Sequence, residues 1–116
     1  MRYMLQIYVN EAFYETQSQE EQAADYQEYA TFNDRATARG LAPQGEALQP
    51  IATATTVRVR DGKTLTTDGP FAETKEQLGG YFVLDCKNLD EAIEMAAQIP
   101  GSRYGSIEIR PIMVFE

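Results

Sequence analysis

Three residues of this chain have the types and spacing for proton-transfer chemistry beside a bound anion: Asp68, Glu108 and Arg110. Glu108 and Arg110 stand two apart in "SIEIRPIMVF", so on a strand both project to the same side. There the planar fork of Arg110 suits an anionic group, while Glu108 or Asp68 handles a proton if burial lifts its carboxyl pKa toward neutrality. The plainer reading of Glu108 and Arg110 is a structural ion pair that helps set the packing of two subunits. Asp68 opens the tetrapeptide "DGPF". An aspartate at the head of a turn ordinarily accepts from the backbone N–H two residues on, but that residue is Pro70, which has none. Its carboxylate is left to cap Phe71 or Ala72, to pair with Lys75 or Arg110, or to meet a ligand. Gly69 permits the sharp turn, and Phe71 is expected to plug into the core as its anchor. The candidate catalytic residues are thus Asp68 and Glu108. The candidate ligand-binding residues are Arg110, Tyr8, Gln6, Tyr81 and Lys75, with the tyrosines also readable as core and Glu73 and Glu76 as solvated surface.

The elements that must hold these residues follow from periodicity. Tyr3, Leu5, Ile7 and Val9 alternate with Met4, Gln6 and Tyr8, which predicts a strand over Tyr3–Val9. A helix is expected from about Gln19 to Arg39, opened by a Ser18/Glu21 capping box and stopped at Gly40. Its apolar stripe reads as Tyr26, Tyr29, Ala30, Asn33 and Ala36, with the Asn33 amide capping a backbone group in the core or facing a ligand. "GLAPQGEALQP" reads as a loop or irregular edge segment. "TATTVRVR" follows as the second strand, and "RDGKT" turns it into a short third strand over Lys63–Thr67. "GYFVLDC" is a further strand. Asn88 and Glu91 cap the amphipathic helix in "NLDEAIEMAAQIPG", ended by Pro100 and Gly101, and "SIEIRPIMVF" closes the chain as a strand with Pro111 at an edge or bulge.

With the inserted hairpin set aside, the order is β-α-β-β-α-β, a ferredoxin-like α+β sandwich. Two helices cover only one face of such a sheet, so the other face is solvated or covered by a second copy. Gln6, Tyr8, Glu108 and Arg110 fall on that second face, a mixture suited to the wall of a cavity.

Composition limits the alternatives. At 116 residues the chain is read as a single domain, residues 1–116, large enough for one core without staples. A net charge of −8 and a pI near 4.5 argue against nucleic acid, whose phosphates call for clustered Lys and Arg. Cys86 is the only cysteine and no histidine exists to activate it, so it reads as a small, partly buried hydrophobe. Without His or a Cys cluster, and without a Ca²⁺-loop spacing or a phosphate loop, no metal and no cofactor is expected. The N-terminal stretch has no cleavage site and no long apolar span, so a cytoplasmic protein with no membrane partner is expected.

"VRVRDGKTLTTDGPFAETKEQLGGYFVL", "LDEAIEMAAQIP", "GSIEIRPI" and the opening "RYMLQIYV" together resemble the YCII-related family, in the branch named for its DGPF tetrapeptide. The resemblance implies a dimeric α+β barrel, in which two ferredoxin-like subunits of a homodimer pack sheet against sheet around interfacial pockets. Members of that branch are often associated in bacterial genomes with extracytoplasmic-function sigma factors, which implies a regulatory role or a sigma factor as protein partner. In the wider family a His–Asp pair is the proposed active site, and without histidine this chain cannot use it. Two function classes stand on this reading. One is a binding module for a small, anionic molecule in an interfacial pocket; the other is an enzyme of lyase, isomerase or monooxygenase-like type using Asp68, Glu108 and Arg110.

Overall fold

The computed structural model describes residues 1–115. It is a mixed α+β chain with two antiparallel sheets and no closed barrel. Strand β1 (Arg2–Val9) is followed by a short helix α1 (Ala12–Glu15) and the long helix α2 (Gln19–Ala38). Then come β2 (Gln44–Ala47), β3 (Thr55–Arg60), β4 (Lys63–Asp68), β5 (Gln77–Asp85), helix α3 (Leu89–Ala96) and β6 (Ser106–Pro111).

The main sheet runs β2-β5-β1-β6, and β3 and β4 form a separate two-stranded sheet. This corrects the reading of "TATTVRVR" as the second strand of the main sheet. That place belongs to Gln44–Ala47, inside the segment read as loop or irregular edge. "QGEA" carries no β-branched or aromatic residue, so nothing in its side chains announces a strand. Its backbone pairs with β5 instead, Gln44 opposite Val83 and Ala47 opposite Gly80. A side chain at Gly45 would run into the Tyr81 carbonyl, and one at Gly80 would come within 2.8 Å of the Glu46 carbonyl. Both positions need the bare backbone for so close an approach.

The hairpin forms as its turn predicts. Asp61 (φ 51°) and Gly62 (φ 71°) both take positive φ, the combination a two-residue turn of matching twist requires. Its strands pair over six residues each and are exposed nearly throughout. The hairpin is an arm standing off the body. With it the chain measures 48 × 47 × 18 Å and has a radius of gyration of 16.2 Å, against about 13 Å for a compact domain of this size.

The core lies between the helices and one face of the main sheet. Tyr3, Leu5, Ile7 and Val9 of β1 are buried there with Leu84, Phe32, Ala36, Ala92, Met95 and Ile99. The expected stripe on α2 is turned. Phe32, whose ring lies 4.7 Å from that of Phe82, faces the sheet and Ala36 follows it, leaving Tyr26, Ala30 and Asn33 exposed. The bulkiest apolar side chain of the helix thus sets its rotation, and Asn33 neither caps the core nor sits within it. Both predicted caps form: Ser18 and Glu21 exchange bonds at α2, and Asn88 Oδ1 accepts from the Glu91 N–H at 2.9 Å. Arg39, just past α2, ties the two helices by ion pairs to Glu91 at 2.9 Å and Glu94 at 3.0 Å. Cys86 is fully buried, and burial raises its thiol pKa. No helix among the described residues is long and apolar enough to cross a membrane.

Candidate functional site

A cleft of about 860 Å³ opens on the helix side of the sheet, between α2 and the β2 edge. Its floor is low because β5 carries glycine there. Ile7 pairs with Gly80 and Tyr8 with Leu78, so Gly79 is the extra residue of a bulge. Glu11, Tyr14 and Glu15 close one end, Asp25, Tyr26, Tyr29 and Ala30 descend from α2, and Ala47, Leu48 and Pro50 form the far lip. Glu11 fixes that lip to the body, for its Oε2 accepts from the Ile51 N–H at 2.9 Å while its own N–H donates to Gln77 Oε1 at 3.0 Å.

Behind the inner wall stands Tyr104. Its ring stacks on Phe13 at 4.1 Å, and its hydroxyl donates to the two Asp25 oxygens at 3.2 and 3.3 Å. The Tyr14 ring meets it edge-on at 6.2 Å. Gly101 leaves room for the Tyr29 hydroxyl, which would lie only 3.1 Å from a side-chain carbon at that position. Burial first, then the neighbouring carboxylate, pushes the Tyr14 phenol above its ordinary value, and burial pushes Tyr29 up to about 12. Tyr104 is raised as well, again mainly by burial. All three are neutral phenols at physiological pH. Burial also raises the Asp25 carboxyl, an effect opposed by the Tyr104 bond. Among the described residues no cluster of His, Cys, Asp and Glu is arranged to hold a metal ion.

The sequence model of the YCII-related domain matches residues 1–116. The chain belongs to the YCII-related family. It is also similar to an uncharacterised protein of Rhizobium meliloti (strain 1021), 44% identical over 71 residues, which are 60% of this chain and 57% of that protein. The chain thus matches a little over half the length of this curated relative.

In this YCII-related domain the predicted site residues do not meet at one place within the chain. Gln6 lies between Tyr81 and Glu108 in the register, Met4 lies opposite Arg110, and Tyr8 lies opposite Ser106, all on the sheet face without helices. Tyr8 and Glu108 also share a shallower hollow of about 400 Å³ with Thr74, Glu76 and Ser106. Ser106 Oγ donates to Glu76 Oε1 there at 2.7 Å. Glu108 and Arg110 are both exposed, and neither enters an ion pair among the described residues.

Asp68 ends β4 on the arm, exposed, and Lys75 is exposed in the loop that follows. The corner is held by Gly69 instead. With φ +93°, its N–H donates to the Ala54 carbonyl at 2.7 Å and its carbonyl accepts from Thr56 Oγ1 at 2.8 Å. Phe71 does not anchor the corner in the core, since it is 80% exposed. Asp68 and Lys75 line neither the cleft nor the shallower hollow.

As site residues, Asp25, Tyr14, Tyr29 and Tyr104 escaped the sequence reading, in which Tyr29 belonged only to the apolar stripe of α2. They come from α1, α2 and the segment before β6; the i,i+4 spacing of Asp25 and Tyr29 puts those two on one face of α2, but nothing local joins them to Tyr14 or Tyr104. The Gly79–Gly80 pair was the other available signal, since glycine inside a strand marks a bulge or a close approach.

Proposed function

We propose that this protein is a cytoplasmic small-molecule-binding module of the DGPF branch, assembled as a homodimer of ferredoxin-like subunits and acting in a regulatory role. The observation that carries the reading is the cleft between α2 and β2. Its volume of about 860 Å³ and its wall of aromatic, aliphatic and glycine residues, with carboxylates at Glu11, Glu15 and Asp25, are those of a ligand site. The strand order β2-β5-β1-β6 supports the ferredoxin-like topology once the arm is set aside. The helix-free face, with Met4, Tyr8, Tyr81 and Val83 half-buried, and the arm with Val57 59%, Val59 60% and Leu65 48% exposed, support a second copy as their cover.

Two measurements test this. Sedimentation equilibrium at micromolar concentration should give a dimer, and a monomer would overturn the assembly. A thermal-shift screen against small metabolites should give a hit that is lost in Ala30→Trp, which fills the cleft from an exposed helix position, and kept in Asp68→Asn.

The hollow shared by Tyr8 and Glu108 favours a second reading, an enzyme in which Glu108 and Asp68 exchange a proton while Arg110 holds an anionic group. It requires the arm of one subunit to bring Asp68 to the sheet face of the other. A hit lost in Asp68→Asn and kept in Ala30→Trp would favour this reading over the first. A sigma factor as physical partner would show as a co-purifying protein with no small-molecule shift.

A further inference from the structure

We propose that the cleft selects organic cations, ammonium compounds with an aromatic or similarly apolar body, and rejects carboxylates of the same size. The inference rests on the cleft reading above and goes against the anionic ligand that Arg110 suggested.

Charge is the first argument. The residues around the cleft include the carboxylates Glu11, Glu15 and Asp25, and none of them is Lys, Arg or His. Glu46 belongs to the same rim, although its pairing with Tyr81 turns its side chain to the other face. The nearby Arg103 is committed to Glu28 at 2.6 Å. An anion entering here would meet only like charge, whereas a cation would be drawn in by a chain of net charge −8.

Unused bonding capacity is the second. An ionised carboxylate offers about four lone-pair sites. Asp25 accepts at both oxygens from a single donor, Tyr104, at 3.2 and 3.3 Å, long for an O–H donor. A substituted ammonium at the inner wall would add the charged donor or close positive contact that Asp25 lacks. Glu11 is less available, because Ile51 already occupies it. Glu15 is exposed at the mouth and enters no ion pair among the described residues.

The third is the surface offered to the rest of the ligand. Tyr26 stands at the mouth 82% exposed, with Tyr14 and Tyr29 farther in. The negative face of an aromatic ring attracts a cation, and more strongly when water is excluded. Burial raises the Tyr14 and Tyr29 phenols above their ordinary value, so both rings are neutral at physiological pH. Opposite them, the glycine floor of β5 leaves space for a flat or bulky apolar group.

Isothermal titration of the intact protein with benzyltrimethylammonium and, separately, with phenylacetate tests the idea. The cation should bind saturably and about tenfold or more tighter than the acid. Asp25→Asn should weaken the cation about tenfold, and Tyr26→Ala several-fold, with melting transitions that show both variants folded. Glu15→Gln, at an exposed position, provides a charge change that leaves the fold alone and should give a smaller loss. If phenylacetate binds as well as or better than the cation, the inference fails and the cleft still stands as a binding site. If neither binds up to millimolar concentration, the inference and the cleft reading fail together. Cation binding unaffected by Asp25→Asn and Tyr26→Ala would place it elsewhere and overturn the assignment.

Discussion

The Tyr104 hydroxyl donates to Asp25 across 79 residues of sequence, joining the segment before the last strand to the first turns of the long helix. This contact backs the wall of the cleft at Asp25. It also places a carboxylate where burial raises its pKa while one hydrogen bond restrains the rise.

A pH dependence follows from that balance. Because the folded chain holds the Asp25 proton more tightly than the unfolded chain, the native state binds more protons between the ordinary carboxylate pKa and the raised one. This component of stability is fully present below the unfolded value and is lost as pH rises through the folded value. Asp25→Asn does not titrate, so its melting temperature should gain on that of wild type as pH rises from about 3 to about 6. Tyr104→Phe removes a donor to the ionised form and should enlarge the pH-dependent loss. Thermal melts across a pH series check both, and a constant gap between Asp25→Asn and wild type would count against the assignment.

Gly101 is expected to tolerate no side chain. An added carbon would lie 2.9 Å from Ile7 Cγ2 and 3.1 Å from the Tyr29 hydroxyl, both parts of packed structure. Gly101→Ala should cost about 1–3 kcal/mol by overpacking and should weaken any ligand that rests on Tyr29. Urea denaturation followed by circular dichroism measures the first effect, and titration of the same variant measures the second.

Within the DGPF corner, Gly69 rather than Asp68 should carry the structural effect. Gly69 sits at φ +93°, where an alanine is strained, and both of its backbone polar groups are bonded. Asp68 is exposed. In urea titrations, Asp68→Asn should fall within about 0.5 kcal/mol of wild type and Gly69→Ala should cost about 1 kcal/mol or more. Equal losses would show that the carboxylate also holds the corner.

The start of α3 gives the opposite pH sign. The Lys87 N–H first, and then the Arg39 guanidinium, hold the Glu91 carboxyl below its ordinary value. Its contribution is present above the unfolded pKa and disappears as pH falls through the folded one. Glu91→Gln should therefore flatten the acid limb of the stability profile. Asn88→Ala removes the side-chain acceptor for the Glu91 N–H and should cost about 1 kcal/mol at neutral pH.

Much of the architecture was legible because it depends on patterns local in sequence. Alternation placed β1 and β6, and the Asp61–Gly62 turn placed the arm. The Ser18 and Asn88 caps placed α2 and α3. The β2 edge was not legible, since Gln44–Ala47 is a strand only through pairing with β5. The turn of α2 was set by contact between Phe32 and Phe82, which no helical wheel of one segment contains.

The candidate site divides along the same line. Gln6 and Tyr8, Glu108 and Arg110 could be assigned to one sheet face from sequence, because side-chain direction in a strand follows from odd and even position alone. Where the cleft beside α2 lies could not, because Tyr14, Asp25, Tyr29, Gly80 and Tyr104 are separated by up to ninety positions and meet only when helix and sheet pack. Sequence by itself determined the elements with a strong local pattern, the caps of α2 and α3 and the acidic charge of the chain. The tertiary structure decided which carboxylate lies beside which phenol, since burial and partner choice arise from packing between distant segments.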